Sequence, residues 1–154
     1  MAVEKSDIAV QIEQEHECLK RDMGDIKEDM MQDVTADNFR NWRLEFMWRL
    51  RDFKNHLSKH FDVEEEGGFM NEILTEAPEA LNQVKKLEAE HTHVLAALDE
   101  ILDDLKVMEV KDLPNVADIR NRVSGVISTI RAHEAAENDL IQTVYCQEYG
   151  YPAS

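Results

Sequence analysis

Apolar residues recur along this chain at steps of three and four, the period that gives a helix one core-facing stripe. Four such stripes follow one another. The first runs through Ile8, Ile12, His16, Leu19, Met23, Ile26 and Met30, and the second through Phe39, Trp42, Phe46, Leu50, Phe53, Leu57, His60 and Glu64. The third is Leu81, Val84, Leu87, His91, Leu95, Leu98, Leu102 and Leu105. The fourth is the most regular: Val116, Ile119, Val123, Val126, Ile130, His133, Glu137, Leu140 and Val144. Breaks fall at Val34-Thr35-Ala36-Asp37, where Thr35 or Asp37 can cap the next helix, and at Gly67-Gly68 inside the second stripe. Pro78 marks a helix start, and Val110 to Asn115, with Pro114, reads as the third loop. The pattern predicts helices over about 5–33, 38–74 with a break near Gly67-Gly68, 79–109 and 116–147, followed by a tail over 148–154 that leaves the bundle. Short connections between long helices make this an all-α, up-down-up-down antiparallel four-helix bundle in one domain spanning 1–154.

Composition narrows the partners. Against 33 Asp+Glu stand 17 Lys+Arg, a net charge of −16, which argues against nucleic acid and against an anionic membrane surface. The same charge argues against tight self-association through the acidic faces. A chain of 154 residues can bury roughly 70% of its unfolded surface, so it needs no disulfide or metal staple to fold. Cys18 and Cys146 read as free thiols of a reducing compartment. No basic-then-apolar start and no run of ~18 apolar residues is visible, so the expectation is a soluble, cytoplasmic protein.

The informative feature is what interrupts the stripes. Each is apolar except at one level, which carries His16, His60 with Glu64, His91, and His133 with Glu137. Packing alone would put Leu or Ile there, because a buried unpaired imidazole or carboxylate is costly. Nineteen residues separate His91 from Val110 and 18 separate Asn115 from His133, so this antiparallel pair is level. The matching count from His91 to His60 requires the second helix to continue, kinked, through Gly67-Gly68. His56, one turn before His60, gives the better match to His16 and is a candidate ligand or ligand partner. His60-x-x-x-Glu64 and His133-x-x-x-Glu137 are i,i+4 pairs that point the same way. Four nitrogens and two carboxylates then converge in one bundle, a donor set that a dinuclear non-haem iron site uses in full. Manganese and zinc accept the same donor types. Glu65 could hydrogen-bond a ligand imidazole, while His93 faces solvent.

On these residues the chain resembles the hemerythrin-like, or HHE cation-binding, domains. The resemblance rests on His16 in its Glu-His-Glu context, on His60-Phe-Asp-Val-Glu64-Glu-Glu, on Leu87-Glu-Ala-Glu-His91 and on His133-Glu-Ala-Ala-Glu137, from about residue 8 to 145. It implies a four-helix bundle holding two iron ions with an oxo or hydroxo bridge. Glu64 and Glu137 would bridge, and His16, His60, His91 and His133 would be terminal ligands.

Two departures bear on function. Oxygen-carrying hemerythrins present two histidines one turn apart on the third helix, where this chain has Leu87 and Leu95 beside His91. They also place an Asp five residues after the fourth-helix histidine, where this chain has Asn138 and supplies its carboxylate at Glu137. The chain thus looks more like the HHE branch, which resembles the iron-responsive hemerythrin-like domain of an F-box protein, than like a respiratory oxygen carrier. An open position, unless His56, Glu88 or a tyrosine fills it, favours binding or sensing of O2, hydrogen peroxide, NO or iron over clean oxygen carriage. A second class is a ferritin-like di-iron peroxidase or oxidase using Glu13-x-x-His16 and Glu88-x-x-His91, which leaves His60 and His133 without partners. A third is a metal-free acidic helical adaptor.

Overall fold

The computed structural model describes residues 4–145. Ser6 starts the first helix, its Oγ accepting from the Ala9 N–H at 3.1 Å. Helices α1 (Asp7–Met30), α2 (Phe39–Glu65), α3 (Phe69–Glu76), α4 (Leu81–Val107) and α5 (Val116–Tyr145) follow, with 3-10 turns over Pro78–Ala80 and Val110–Asn115. Among the described residues there is no strand. The four long helices form an antiparallel four-helix bundle in which α1 packs on α2 and α5, and α4 closes the square against the same two. No described helix is long and apolar enough to cross a membrane. Cys146 and the tail over 148–154 lie outside the described residues.

Three local expectations need correction. Neither Thr35 nor Asp37 caps α2: Asn38 stands at the N-cap, and its side chain serves the preceding loop. It accepts from the Thr35 N–H at 2.7 Å and donates to the Asp33 carbonyl at 2.8 Å. The third connection is no open loop but a 3-10 helix, started by a capping box in which the Glu109 N–H donates to Asp112 Oδ2 at 3.0 Å. The second stripe does not continue as one helix through Gly67-Gly68. Gly68 takes φ 94°, a left-handed conformation that costs other residues, and a Cβ on Gly67 would strike the Val63 carbonyl oxygen. The chain therefore turns, and α3 packs against α2, α4 and α5. His60 and His91 come level all the same.

Two apolar clusters fill the bundle. The larger joins residues such as Leu19, Phe46, Leu57, Leu98 and Ile130, and the smaller joins Ile12, Phe69, Ile73, Leu87 and Ile141. Each of these side chains stabilises the fold by roughly 1.5–3 kcal/mol on burial. The polar level lies along the helices between them. On α4 and α5 the buried positions include Val94, Ile101, Ile127 and Ile141, while Leu95, Val126 and Val144 are half-buried and Leu81 is exposed. Each of these helices packs on two neighbours, so its apolar face is wider than a single stripe.

Candidate metal centre

His16, His60, Glu64, His91, His133 and Glu137 all lie buried at one level, each 5% exposed or less. The long helices bring them there by presenting one stripe position each, or two at i,i+4 spacing, to the bundle axis. The donor atoms sort into two groups, His16, His60, Glu64 and Glu137, and Glu64, His91, His133 and Glu137, with the atoms of each within 4.8 Å of one another. Both carboxylates belong to both groups. Thus Glu64 Oε1 lies 2.5 Å from His60 Nε2, and its Oε2 lies 3.2 Å from His91 Nε2. Glu137 mirrors this, with Oε1 3.0 Å from His16 Nε2 and Oε2 3.1 Å from His133 Nε2.

Only part of this closeness is hydrogen bonding: His16 Nε2 pairs with Glu137 Oε1, and the Nε2 atoms of His91 and His133 lie 3.1 Å apart. His60 Nε2, both oxygens of Glu64 and Glu137 Oε2 are fully enclosed and lack a hydrogen-bond partner with acceptable angles. They account for four of the seven such orphaned side-chain atoms among the described residues. Leaving buried polar atoms unpaired costs roughly 1–3 kcal/mol each, so their concentration at one level calls for a ligand that satisfies them together.

The outward nitrogen of each of these four histidines is fixed by a residue of another helix. His16 Nδ1 donates to Asn138 Oδ1 at 2.9 Å, and His60 Nδ1 to Glu15 at 2.7 Å. His91 Nδ1 donates to Glu65 at 2.8 Å, and His133 Nδ1 to Glu90 at 2.8 Å. The pattern is a closed ring: α1 holds the histidine of α2, α2 that of α4, α4 that of α5, and α5 that of α1. Carboxylate and amide oxygens only accept, so each Nδ1 carries a proton, and each imidazole in its neutral, ligating form turns its Nε2 lone pair inward. Glu65 was visible in the sequence for this role; Glu15, Glu90 and Asn138 were not. The repeated Glu-His dipeptides at 15–16 and 90–91 were the available signal.

Protonation follows from the same contacts. Burial disfavours charged His60, but its hydrogen bond to Glu15 and the nearby Glu64 carboxylate prevail and hold it at about 9. Burial would push Glu64 up, yet His60 and His91 hold it down at about 2. His91 is raised, with burial outweighed by Glu64 and Glu65, whereas burial lowers His16 and His133. Burial also raises Glu134, which is 8% exposed.

Phe61 sits nearer one half of the level than the other. Phe61 stacks on His91 with ring centroids 3.9 Å apart and meets His133 edge-on at 5.6 Å. His16 and His60 meet each other edge-on at 4.9 Å, as His91 and His133 do, and Phe61 lies 6.0 Å from His60. A surface groove between α1 and α2 is lined by Glu15, Leu19, Asp22, His56, His60 and Val63 among others. His56 does not join the six. It is exposed, pairs with Asp22 at 3.1 Å and lies at that groove. Glu13 pairs instead with Lys5 at 3.0 Å, and neither it nor half-buried Glu88 enters a donor group. His93 is exposed.

A family model described as the hemerythrin HHE cation binding domain matches residues 7–145. No curated protein and no solved structure matches the chain.

Proposed function

The chain belongs to the hemerythrin HHE cation-binding family, and from that premise we propose that it is a non-haem di-iron protein that binds or senses O2, peroxide, NO or iron. One observation carries the reading: two four-residue donor groups that share both of their carboxylates. Two cations side by side use such an arrangement; one cation would leave a pair of histidines idle. The residues fit the pair, because the four orphaned atoms at this level belong to the donor set itself.

His16 and His60 would hold one ion and His91 and His133 the other, with Glu64 and Glu137 spanning both. When bound, the two irons, with an oxo or hydroxo bridge, supply electrons and an exchangeable position for a small oxidant or NO. The remaining work belongs to the protein. The ring of Nδ1 hydrogen bonds keeps each imidazole aimed before any ion arrives. Phe61 and the two apolar clusters keep bulk water from the level, which strengthens every charge interaction inside it. Manganese and zinc accept the same donors, and the ferritin-like alternative needs Glu13 and Glu88, which stand outside both groups.

The test is an anaerobic titration of the metal-free protein with ferrous iron, with manganese and zinc in parallel. A break at two equivalents of iron supports the reading; a break at one, or none, contradicts it. Stopped-flow mixing of the loaded, reduced protein with O2, hydrogen peroxide or NO then identifies the ligand.

A further inference from the structure

Resting on the di-iron reading, we propose that the two halves of the level load unequally. The His91 and His133 half takes the first ferrous ion, and the His16 and His60 half holds a weaker, exchangeable second. Asn138 sets the difference, as a positioning residue acting through His16. The inner donors cannot set it, because each half has two imidazoles and the same two carboxylates, Glu64 and Glu137. The halves differ in what stands behind the imidazoles.

Behind His91 and His133 stand two carboxylates, Glu65 and Glu90, each accepting from Nδ1 at 2.8 Å. Behind His60 stands a third, Glu15, at 2.7 Å. His16 alone of the four has a neutral amide, its Nδ1 donating to Asn138 Oδ1 at 2.9 Å. A hydrogen bond to an ionised acceptor is roughly twice as strong as one to a neutral acceptor. It draws the proton away from the ring and leaves Nε2 the richer donor to a cation. A carboxylate also brings a full negative charge near the ion, where an amide brings none. His16 is therefore the weakest of the four imidazole donors. Its half has one supporting carboxylate where the other half has two. Buried Glu134 bonds none of these imidazoles, so it supports neither half in this way.

The cover over the halves differs in the same direction. Phe61 stacks on His91 at 3.9 Å and meets His133 at 5.6 Å, but lies 6.0 Å from His60. His60 in turn lines the surface groove between α1 and α2. The half with the weakest donor is thus the one beside an open groove, from which an ion can leave and return. As ferrous iron falls, the protein passes from a two-ion to a one-ion form before it empties.

Anaerobic ferrous titrations against a competing chelator measure the two stepwise affinities of wild type, Asn138→Asp and Glu90→Gln. Both variants keep the shape of the original side chain and an oxygen that accepts from Nδ1. The wild type is expected to bind its second iron at least 10-fold more weakly than its first. Asn138→Asp should strengthen the second step at least fivefold, and Glu90→Gln should weaken the first at least fivefold, each leaving the other step within threefold. A merely structural role for Asn138 would not strengthen one step selectively. Wild-type steps closer than 10-fold overturn the proposal. So does either variant that changes its step by less than fivefold or acts on the other step instead, and each variant decides alone if the other loses helical content. A wild type that binds one iron or none fails at the di-iron reading and removes this inference with it; two irons bound with Asn138→Asp unchanged remove this inference alone.

Discussion

Glu65 accepts a hydrogen bond from His91 Nδ1 at 2.8 Å, reaching from the last turn of α2 to the middle of α4. Its neighbour Glu64 turns the other way, fully buried, and places Oε2 3.2 Å from Nε2 of the same imidazole. Two consecutive carboxylates thus grip both nitrogens of one histidine, one as candidate metal ligand and the other as its support. Groups that orient a ligand imidazole typically contribute a factor of about 10–100 in metal affinity. Glu65→Ala should therefore weaken iron binding by about that factor in a chelator competition. Glu65 is half in solvent at 42% side-chain exposure, so the melting of the metal-free variant should stay close to wild type.

Ligand substitutions separate the two di-iron arrangements. His60→Ala and Glu137→Gln each strike a donor group and should lower bound iron, the latter from both positions because Glu137 serves both. Glu13→Ala removes only a surface pair with Lys5 and should leave two irons in place. Iron counting on the purified variants checks this, and loss of iron from Glu13→Ala would favour the ferritin-like arrangement.

Much of this was legible in the sequence, and the parts that were not share a physical cause. His16, His60, Glu64, His91, His133 and Glu137 stood out because each breaks an apolar stripe, a position where a polar residue needs a reason. Glu15 and Glu90 lie one residue off their stripes, half-buried, and look like any of the 33 acidic residues on a solvated helix face. Their partners are on other helices, which stripe periodicity does not address. Asn138 was noticed only as a missing carboxylate, although its amide oxygen is what His16 needs. The break at Gly67-Gly68 was readable, but not that φ 94° at Gly68 starts a separate helix packed on α2, α4 and α5.

Stability of the metal-free protein should depend on pH through the His60–Glu64 pair. His60 is raised from 6.5 to about 9, so its contribution is complete below pH 6.5 and is lost as pH climbs through about 9. Glu64 is lowered from 4.5 to about 2, so its contribution is complete above pH 4.5 and is lost as pH falls through about 2. The two shifts describe one pair and count once. Urea midpoints should accordingly be highest between about pH 4.5 and 6.5 and fall toward pH 9. Metal affinity should run the other way over that alkaline range, since imidazoles must be neutral to ligate, and loading should release protons.

Phe61 is 3% exposed and stacks on His91. Phe61→Ala should destabilise the metal-free protein by about 3–5 kcal/mol in urea unfolding, as aromatic truncations in cores do. Trp48, 68% exposed on the same helix, is the control: Trp48→Ala should stay within about 0.5 kcal/mol of wild type.

The proposed function requires two coupled irons at this level of the bundle. Metal analysis of the air-oxidised, iron-loaded protein, together with its absorption and low-temperature electron paramagnetic resonance spectra, tests it most directly. The expected result is two irons per chain, oxo-to-iron charge-transfer bands near the ultraviolet edge and no resonance from the coupled ferric pair. No bound transition metal after anaerobic reconstitution, or a single iron with an isolated high-spin ferric signal, would contradict it.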